Sequence, residues 1–165
     1  MTGKTHSEAT EKMWGMIKSI GFAMMTTEDA GELRARPMAA AQDAFYGDLW
    51  FFTKASSHKV QEAGAGEKVG VTYADPGKQD YVSLSGHATV VRDKDKIAAH
   101  WSEGMRTWFP GGKDDPDIAL LKVEVTAAEY WDAPNSTMVY AYGYVKAVLT
   151  GTSPHPGENE KLKFS

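Results

Sequence analysis

The sequence predicts a small antiparallel β-barrel of six strands with flanking helices. Three observations carry that prediction. Six strand-length runs, apolar or alternating, are set apart by turn signals. The helical segments between them fall at the ends of hairpins, where they do not interrupt pairing. At 165 residues there is length for one sizeable core. Closing six strands on themselves removes the exposed edges that a flat sheet would leave.

Each element can be justified in turn. Thr5 and Glu8 have the spacing of a capping box. Beyond them Met13, Met16, Ile17 and Ile20 fall at helical spacing, so an amphipathic helix is expected to end at Gly21. Residues 22–26 form a short apolar strand, residues 28–31 a turn, and residues 33–40 the returning strand of a hairpin. Pro37 lacks an N–H, which confines it to a sheet edge or a bulge, and a bulge can turn backbone toward a ligand. Residues 48–53 are the third strand, 57–63 a short helix closed by Gly64, and 69–74 the fourth strand. Asp75, Pro76 and Gly77 make a tight turn. In the long fifth strand, 81–92, Tyr81, Ser83, Ser85 and His87 alternate with Val82, Leu84 and Gly86, giving one polar and one apolar face. Asp93 or Asp95 caps a helix carrying Ile97, Ala98 and Trp101. Residues 105–117 read as a Gly/Pro-rich loop with no regular structure. Residues 118–131 are the last strand, with Leu121, Val123 and Val125 on one face. Asn135 or Ser136 opens a final helix through Tyr140, Tyr144 and Val148 that stops at Gly151. The chain reads as one domain over 1–165. Its core runs from about residue 8 to 151, and a polar tail, 152–165, lies on the surface or reaches a partner subunit.

The chemistry concentrates in the run from Trp50 to Lys59. An apolar strand ends in Thr53, a short turn follows, and a helix opens on Ser56 and Ser57 with Lys59 in its first turn. Helix starts carry unpaired N–H groups and partial positive charge. Two hydroxyls and an ammonium there suit a dianionic phosphate. The plain alternative is that a serine only caps the helix and Lys59 is a solvated charge.

Upstream lies Arg34-Ala35-Arg36-Pro37-Met38-Ala39. Downstream lie Tyr81-Val82-Ser83-Leu84-Ser85-Gly86-His87-Ala88 and Trp108-Phe109-Pro110-Gly111-Gly112. In this order and spacing the set resembles the FMN-binding split β-barrel family, the pyridoxamine 5′-phosphate oxidase-like superfamily, and most closely its bacterial general stress protein branch. The resemblance spans roughly residues 8–151. It implies a split barrel with Greek-key connections and a homodimer with FMN at the subunit interface, FAD or a deazaflavin being the lesser options. It also implies cofactor-binding roles. Ser57 and Lys59 match the phosphate contacts, with His58 where the oxidases have arginine, and Thr53 closes the strand beside them. Arg36, Pro37 and Met38 match the strand beside the flavin ring, and Phe52 adjoins it at the strand end. Trp108 matches a loop that approaches the flavin, often across the dimer. Plainer roles stand beside these: Arg36 in a surface ion pair, Pro37 blunting an edge, Trp108 plugging the barrel mouth.

Composition narrows the classes further. A net charge of −4 and no basic face argue against nucleic acid as a partner. No cysteine is present, which excludes disulfides, cysteine-ligated metals and thiol catalysis. No run approaches the ~20 apolar residues of a membrane span. Residues 1–12 lack the apolar core of a signal peptide, so a cytoplasmic location is expected. The acidic run Asp114, Asp115, Asp117 lacks the spacing of a calcium loop and is read as a solvated turn, so no metal is expected. No nucleophile elbow or triad is visible, and His87 and His100 are isolated. A chain without its own acid–base machinery suits a flavoprotein, whose cofactor holds the chemistry. The expectation is an FMN-binding general stress protein with oxidoreductase-type chemistry. The alternative is a non-catalytic flavin sensor, store or scavenger. True pyridoxamine 5′-phosphate oxidase activity is not expected, because no Arg follows Arg106 to form the Arg/His substrate motif of those enzymes.

Overall fold

The computed structural model describes residues 5–57, 66–132, 146–151 and 158–164. Helix α1 spans His6–Ile20. Its capping box is formed: Glu8 N donates to Thr5 Oγ1 at 3.3 Å and Thr5 N donates to Glu8 Oε2 at 2.8 Å. Gly21 ends it in the left-handed region, φ +84°, with its N–H on Ile17 O. Ala9, Met13, Trp14, Met16 and Ile17 are buried, so one face of α1 packs into the barrel core.

Six further strands follow the order of the sequence reading: β1 Phe22–Asp29, β2 Glu32–Ala39, β3 Asp48–Lys54, β4 Glu67–Asp75, β5 Asp80–Val91 and β6 Ile118–Asp132. Helix α2, Lys94–His100, lies between β5 and β6 and is capped by Asp93, whose carboxylate accepts from Asp95 N and Lys96 N. The sheet order is β2-β1-β4-β5-β6-β3, entirely antiparallel. A single bridge, Ala40 to Phe51, joins the two ends, so the barrel is split rather than closed. The β1–β2 turn is tighter than expected: Ala30 and Gly31 both have positive φ, as a two-residue hairpin requires. The strands therefore run through Glu28 and Asp29. Pro37 faces Met24 in an unbroken register. It is tolerated because β2 is an edge strand, and no bulge is present there.

The bulge lies elsewhere, between Ser85 and Gly86 on β5 where it meets β6. Gly86 is required there because a Cβ would come within 2.3 Å of Glu124 O. Alternation along β5 is as read: Val82, Leu84, Gly86 and Ala88 face in, Tyr81, Ser85 and His87 face out. Tyr73, Tyr130 and Phe51 are fully buried and fill the interior. That leaves no room inside for a ligand.

Two expectations need correction. Among the described residues the strand count is seven, not six, because Glu158–Lys163 forms β7 on β6. Strand β6 is 15 residues long. Its first half pairs with β3 and its second half with β7 along the same edge. The tail looked polar because only Leu162 points inward, at 4% exposure. Phe164 then packs edge-on against Phe45 and His6, with centroids at 5.6 and 5.3 Å, and Trp14 stacks on Phe45. The loop after α2 also carries regular structure, as two 3-10 turns at Glu103–Thr107 and Gly112–Asp114.

The helix read at 57–63 lies outside the described residues beyond Ser57. So does most of the one read from Asn135 or Ser136. Its last turn, 146–150, is helical, and Gly151 closes it with φ +67°. Among the described residues no helix is long and apolar enough to cross a membrane.

Candidate functional site

A second, smaller core sits outside the barrel. Phe52, Ile97, Phe109, Ile118 and Leu120 bury one another beneath α2 and the loop that follows it. On β3 the odd positions Leu49 and Phe51 fill the barrel, while Phe52 faces this outer core and meets Phe109 at 6.2 Å and Trp101 at 5.9 Å. The Trp108–Gly112 motif divides its aromatics accordingly. Phe109 is a buried anchor and Trp108 stays 66% exposed. The glycines let the loop close on itself. Gly112 adopts φ +75°, and a Cβ on Gly111 would meet Asp115 Oδ2 at 2.9 Å. Arg106 braces the same loop, donating to Glu103 at 2.8 and 3.3 Å and to Pro110 O at 3.4 Å. Those bonds from Arg106, with one from Trp101, hold the Glu103 carboxyl below its ordinary range.

Between this loop, strand β2 and the end of β3 lies a cavity of about 340 Å³. That is within the range of small-molecule sites, roughly 300–1,000 Å³. Phe22, Pro37, Met38 and Ala39 form one wall, with Phe52 beside them. Met105, Trp108 and Phe109 form the other. One end is polar, made by Thr53, Lys54 and Ser57. The Thr53 and Ser57 hydroxyls share a hydrogen bond of 3.2 Å. Thr53 is only 3% exposed, so its hydroxyl is a buried group presented to the cavity.

Asp117 holds this polar end in shape. Ala55 N donates to Asp117 O at 2.7 Å, and Ser56 N and Oγ donate to its two carboxylate oxygens at 2.9 and 3.0 Å. Ser57 N donates to Lys54 O at 3.0 Å. Ser56 is thus committed to Asp117, and Ser57 is the serine that lines the cavity. The acidic turn, read as merely solvated, is the clamp on this loop.

The structure therefore gathers Pro37, Met38, Phe52, Thr53, Ser57 and Trp108 around one cavity. Arg36 is not on its wall: Nη2 donates to Thr27 Oγ1 at 3.0 Å. Lys59 and His58 lie outside the described residues. Sequence reasoning missed Phe22, Ala39, Lys54, Met105 and Phe109. Lys54 could have been found as the neighbour of Thr53 at the strand end. Met105 carried no signal, because its place depends on how the loop folds back. His100 is not isolated: Nδ1 donates to Ala41 O at 2.8 Å and its ring stacks on Trp50. Among the described residues no cluster of three or more acidic or histidine side chains could hold a metal ion.

Cavity walls of aromatic, proline and methionine side chains with a hydroxyl end match a flat ring that carries a phosphate. Comparisons with known proteins agree with this geometry. The family model described as pyridoxamine 5′-phosphate oxidase like matches residues 8–155. General stress protein 26 of Bacillus subtilis is 30% identical over 114 residues, covering 64% of this chain and 79% of that protein. The solved general stress FMN/FAD binding protein of Xanthomonas citri is 29% identical with a TM-score of 0.72, over 79% of this chain and 92% of that one. A solved protein of Jannaschia sp. CCS1, assigned as general stress protein 26, is 25% identical with a TM-score of 0.77, over 96% of this chain and 99% of that one. The chain belongs to the pyridoxamine 5′-phosphate oxidase-like family.

Proposed function

We propose that this chain binds FMN in the cavity between β2, the end of β3 and the aromatic loop, and serves as a general stress protein with oxidoreductase-type chemistry. The observation that carries the reading is the combination within one cavity of a flat apolar wall and a hydroxyl pair, the buried Thr53 and the half-buried Ser57. The Xanthomonas citri relative, described as FMN/FAD binding, points the same way. When bound, the flavin would supply reversible electron transfer. The protein's part is to bind and orient. Thr53 and Ser57 have one hydroxyl hydrogen each: one is spent on the bond they share and the other would be donated to the phosphate, while Lys59, two residues beyond Ser57, would add charge. Phe52, Pro37, Met38 and Trp108 exclude water from the ring. β2 is an edge strand, so backbone groups that β1 does not engage are available to the ring's polar atoms.

The visible spectrum of the purified full-length protein tests this directly, with mass spectrometry of the released cofactor. Lys59→Ala is expected to weaken FMN binding about ten- to a hundredfold, the loss of a charge-assisted bond of about 1.5–3 kcal/mol, and to leave riboflavin binding nearly unchanged. A colourless protein that takes up no flavin, or equal losses for both ligands, would overturn the assignment.

A non-catalytic flavin sensor, store or scavenger is the second reading. It is favoured by the cavity lining, where Lys54 is the sole ionisable group among the described residues. Turnover with a reduced nicotinamide nucleotide would decide for catalysis.

Oxidation of pyridoxamine 5′-phosphate is not part of this function. A second phosphate needs cations beyond those holding FMN. The chain after Arg106 offers lysines but no Arg/His motif. Steady-state assay under oxygen is expected to show no significant turnover. A rate near 1 s⁻¹, ordinary for an enzyme, would contradict this.

A further inference from the structure

A second cavity, of about 560 Å³, opens on the other side of Met105, which lines both. It is bounded by the 40–50 segment and by α2 with the residues just after it. We propose that it binds a planar aromatic anion of the arenecarboxylate type. The inference stands apart from the flavin reading, since it uses none of the residues assigned to the phosphate or the ring.

Trp50 and His100 both line the cavity and lie stacked on one another, centroids 4.8 Å apart at 25°, so they present it with an aromatic pair of fixed orientation. Tyr46 stands 90% exposed at its edge and Trp101 flanks it. Flat aromatic ligands gain most against such surfaces.

The wall is also rigid. The Gln42 amide is fully engaged: Nε2 donates to Ala44 O and Asp48 O, both at 2.8 Å, and Oε1 accepts from Trp50 N at 2.6 Å. His100 Nδ1 must be the protonated nitrogen toward Ala41 O, because a carbonyl oxygen only accepts. That fixes the ring and leaves Nε2 as its remaining polar atom.

Lys96 supplies the charge. It precedes His100 by one turn of α2, so the two share a helix face. Its Nζ lies 6.0 Å from the Trp50 ring centroid. It makes no ion pair among the described residues. Lys122 Nζ is 5.8 Å from the same ring but is paired with Asp48 at 3.4 Å, which cancels the carboxylate of that wall. Asp43 sits on the exposed rim. With Asp48 paired and Asp43 out on the rim, Lys96 is the unpaired cation beside the aromatic wall among the described residues, and Ser102, whose hydroxyl makes no cap bond, adds a donor.

The test is a nuclear magnetic resonance titration of the full-length protein with 2-naphthoate, and with 2-naphthylmethylammonium as the opposite charge. Expected are shifts of the Trp50 and His100 ring resonances, with naphthoate bound at least fivefold more tightly than the ammonium compound. Lys96→Gln should weaken naphthoate roughly five- to tenfold, and Lys96→Arg should retain it. Lys96 is exposed, so neither change should disturb the fold. Absence of shifts at Trp50 and His100 would overturn the proposal, as would shifts confined to Phe52 and Phe109. So would equal binding of the two charges, or indifference to Lys96→Gln. Because Phe52 and Phe109 report the first cavity, failure here is distinguishable from failure of the flavin reading.

Discussion

Asp80 and Asp132 face each other across β5 and β6. Lys12 pairs with Asp132, and Lys78 lies 3.9 Å from Asp75. Asp80 is left as the member least compensated, and one of its carboxylate oxygens is buried without a partner among the described residues. Burial first, and then the charge of Asp132 with a hydrogen bond to it, push the Asp80 carboxyl above its usual range. The consequence for stability follows from linkage. The folded state holds this proton more tightly than the unfolded chain does. Its favourable contribution is complete below the ordinary carboxylate pKa and is lost as pH rises through the raised value. Asp80→Asn removes the ionisation and keeps a donor toward Asp132. The variant should therefore match the parent in acid and melt higher at pH 7, by roughly 2–4 °C for each kcal/mol regained. Thermal melts from pH 4 to pH 8 would show the two curves separating as pH rises. Parallel curves would mean that Asp80 is not strained by its neighbour.

At the scale of elements, the unit that matters is the end of β3 with the turn clamped by Asp117. Three hydrogen bonds from residues 55 and 56 converge on Asp117, at the start of β6. They place Ser57 Oγ beside Thr53 without Asp117 lining the cavity itself. Asp117→Ala should weaken FMN about tenfold by loosening the turn, and should cost about 1–3 kcal/mol of stability as Ser56 loses its acceptors. Isothermal titration with FMN and with riboflavin, beside urea unfolding, separates the effects. Unchanged FMN affinity would show that the turn keeps its shape without the clamp. The sequence announced most of this unit. Phe52, Thr53 and Ser57 were legible as neighbours because an apolar strand ending in a hydroxyl before a serine turn sets all three at one strand end. Asp117 was not legible, since it lies 61 residues from Ser56 and its role exists only once β3 and β6 pair. The strands themselves were readable from alternation, most clearly in β5. Strand β7 was hidden for the opposite reason: an edge strand with one inward side chain, Leu162, shows no alternation strong enough to see. The position of Arg36 on β2 is as expected, but its guanidinium reaches Thr27, a choice set by packing and not by spacing.

At the scale of the whole molecule, the barrel interior is full and the cavity lies at the surface. Its mouth carries two uncovered aromatic side chains. Phe22 is 64% exposed and Trp108 66%, and both line the cavity. Met24, two residues along the same face of β1, is 43% exposed and is not part of the cavity lining. Aromatic residues of this kind left in water mark an interaction surface. A second copy of the chain would cover them by a two-fold contact in which the patch meets itself. Such a contact needs about 800 Å² from each partner. The flavin would then be enclosed by both subunits, Trp108 losing its exposure in the process. We therefore expect a homodimer carrying two FMN. Met24→Asp supplies the discriminating variant, because it places a charge in the contact and touches no ligand. Burying an unpaired carboxylate should weaken dimerisation by about 3 kcal/mol, roughly a hundredfold. If the second copy completes the cavity, flavin must be lost in step with the dimer. Sedimentation equilibrium followed at the flavin and protein absorbances reads both quantities in one experiment. A monomer that retains one FMN per chain would refute the shared site. A Met24→Asp protein that remains dimeric would place the contact on another face.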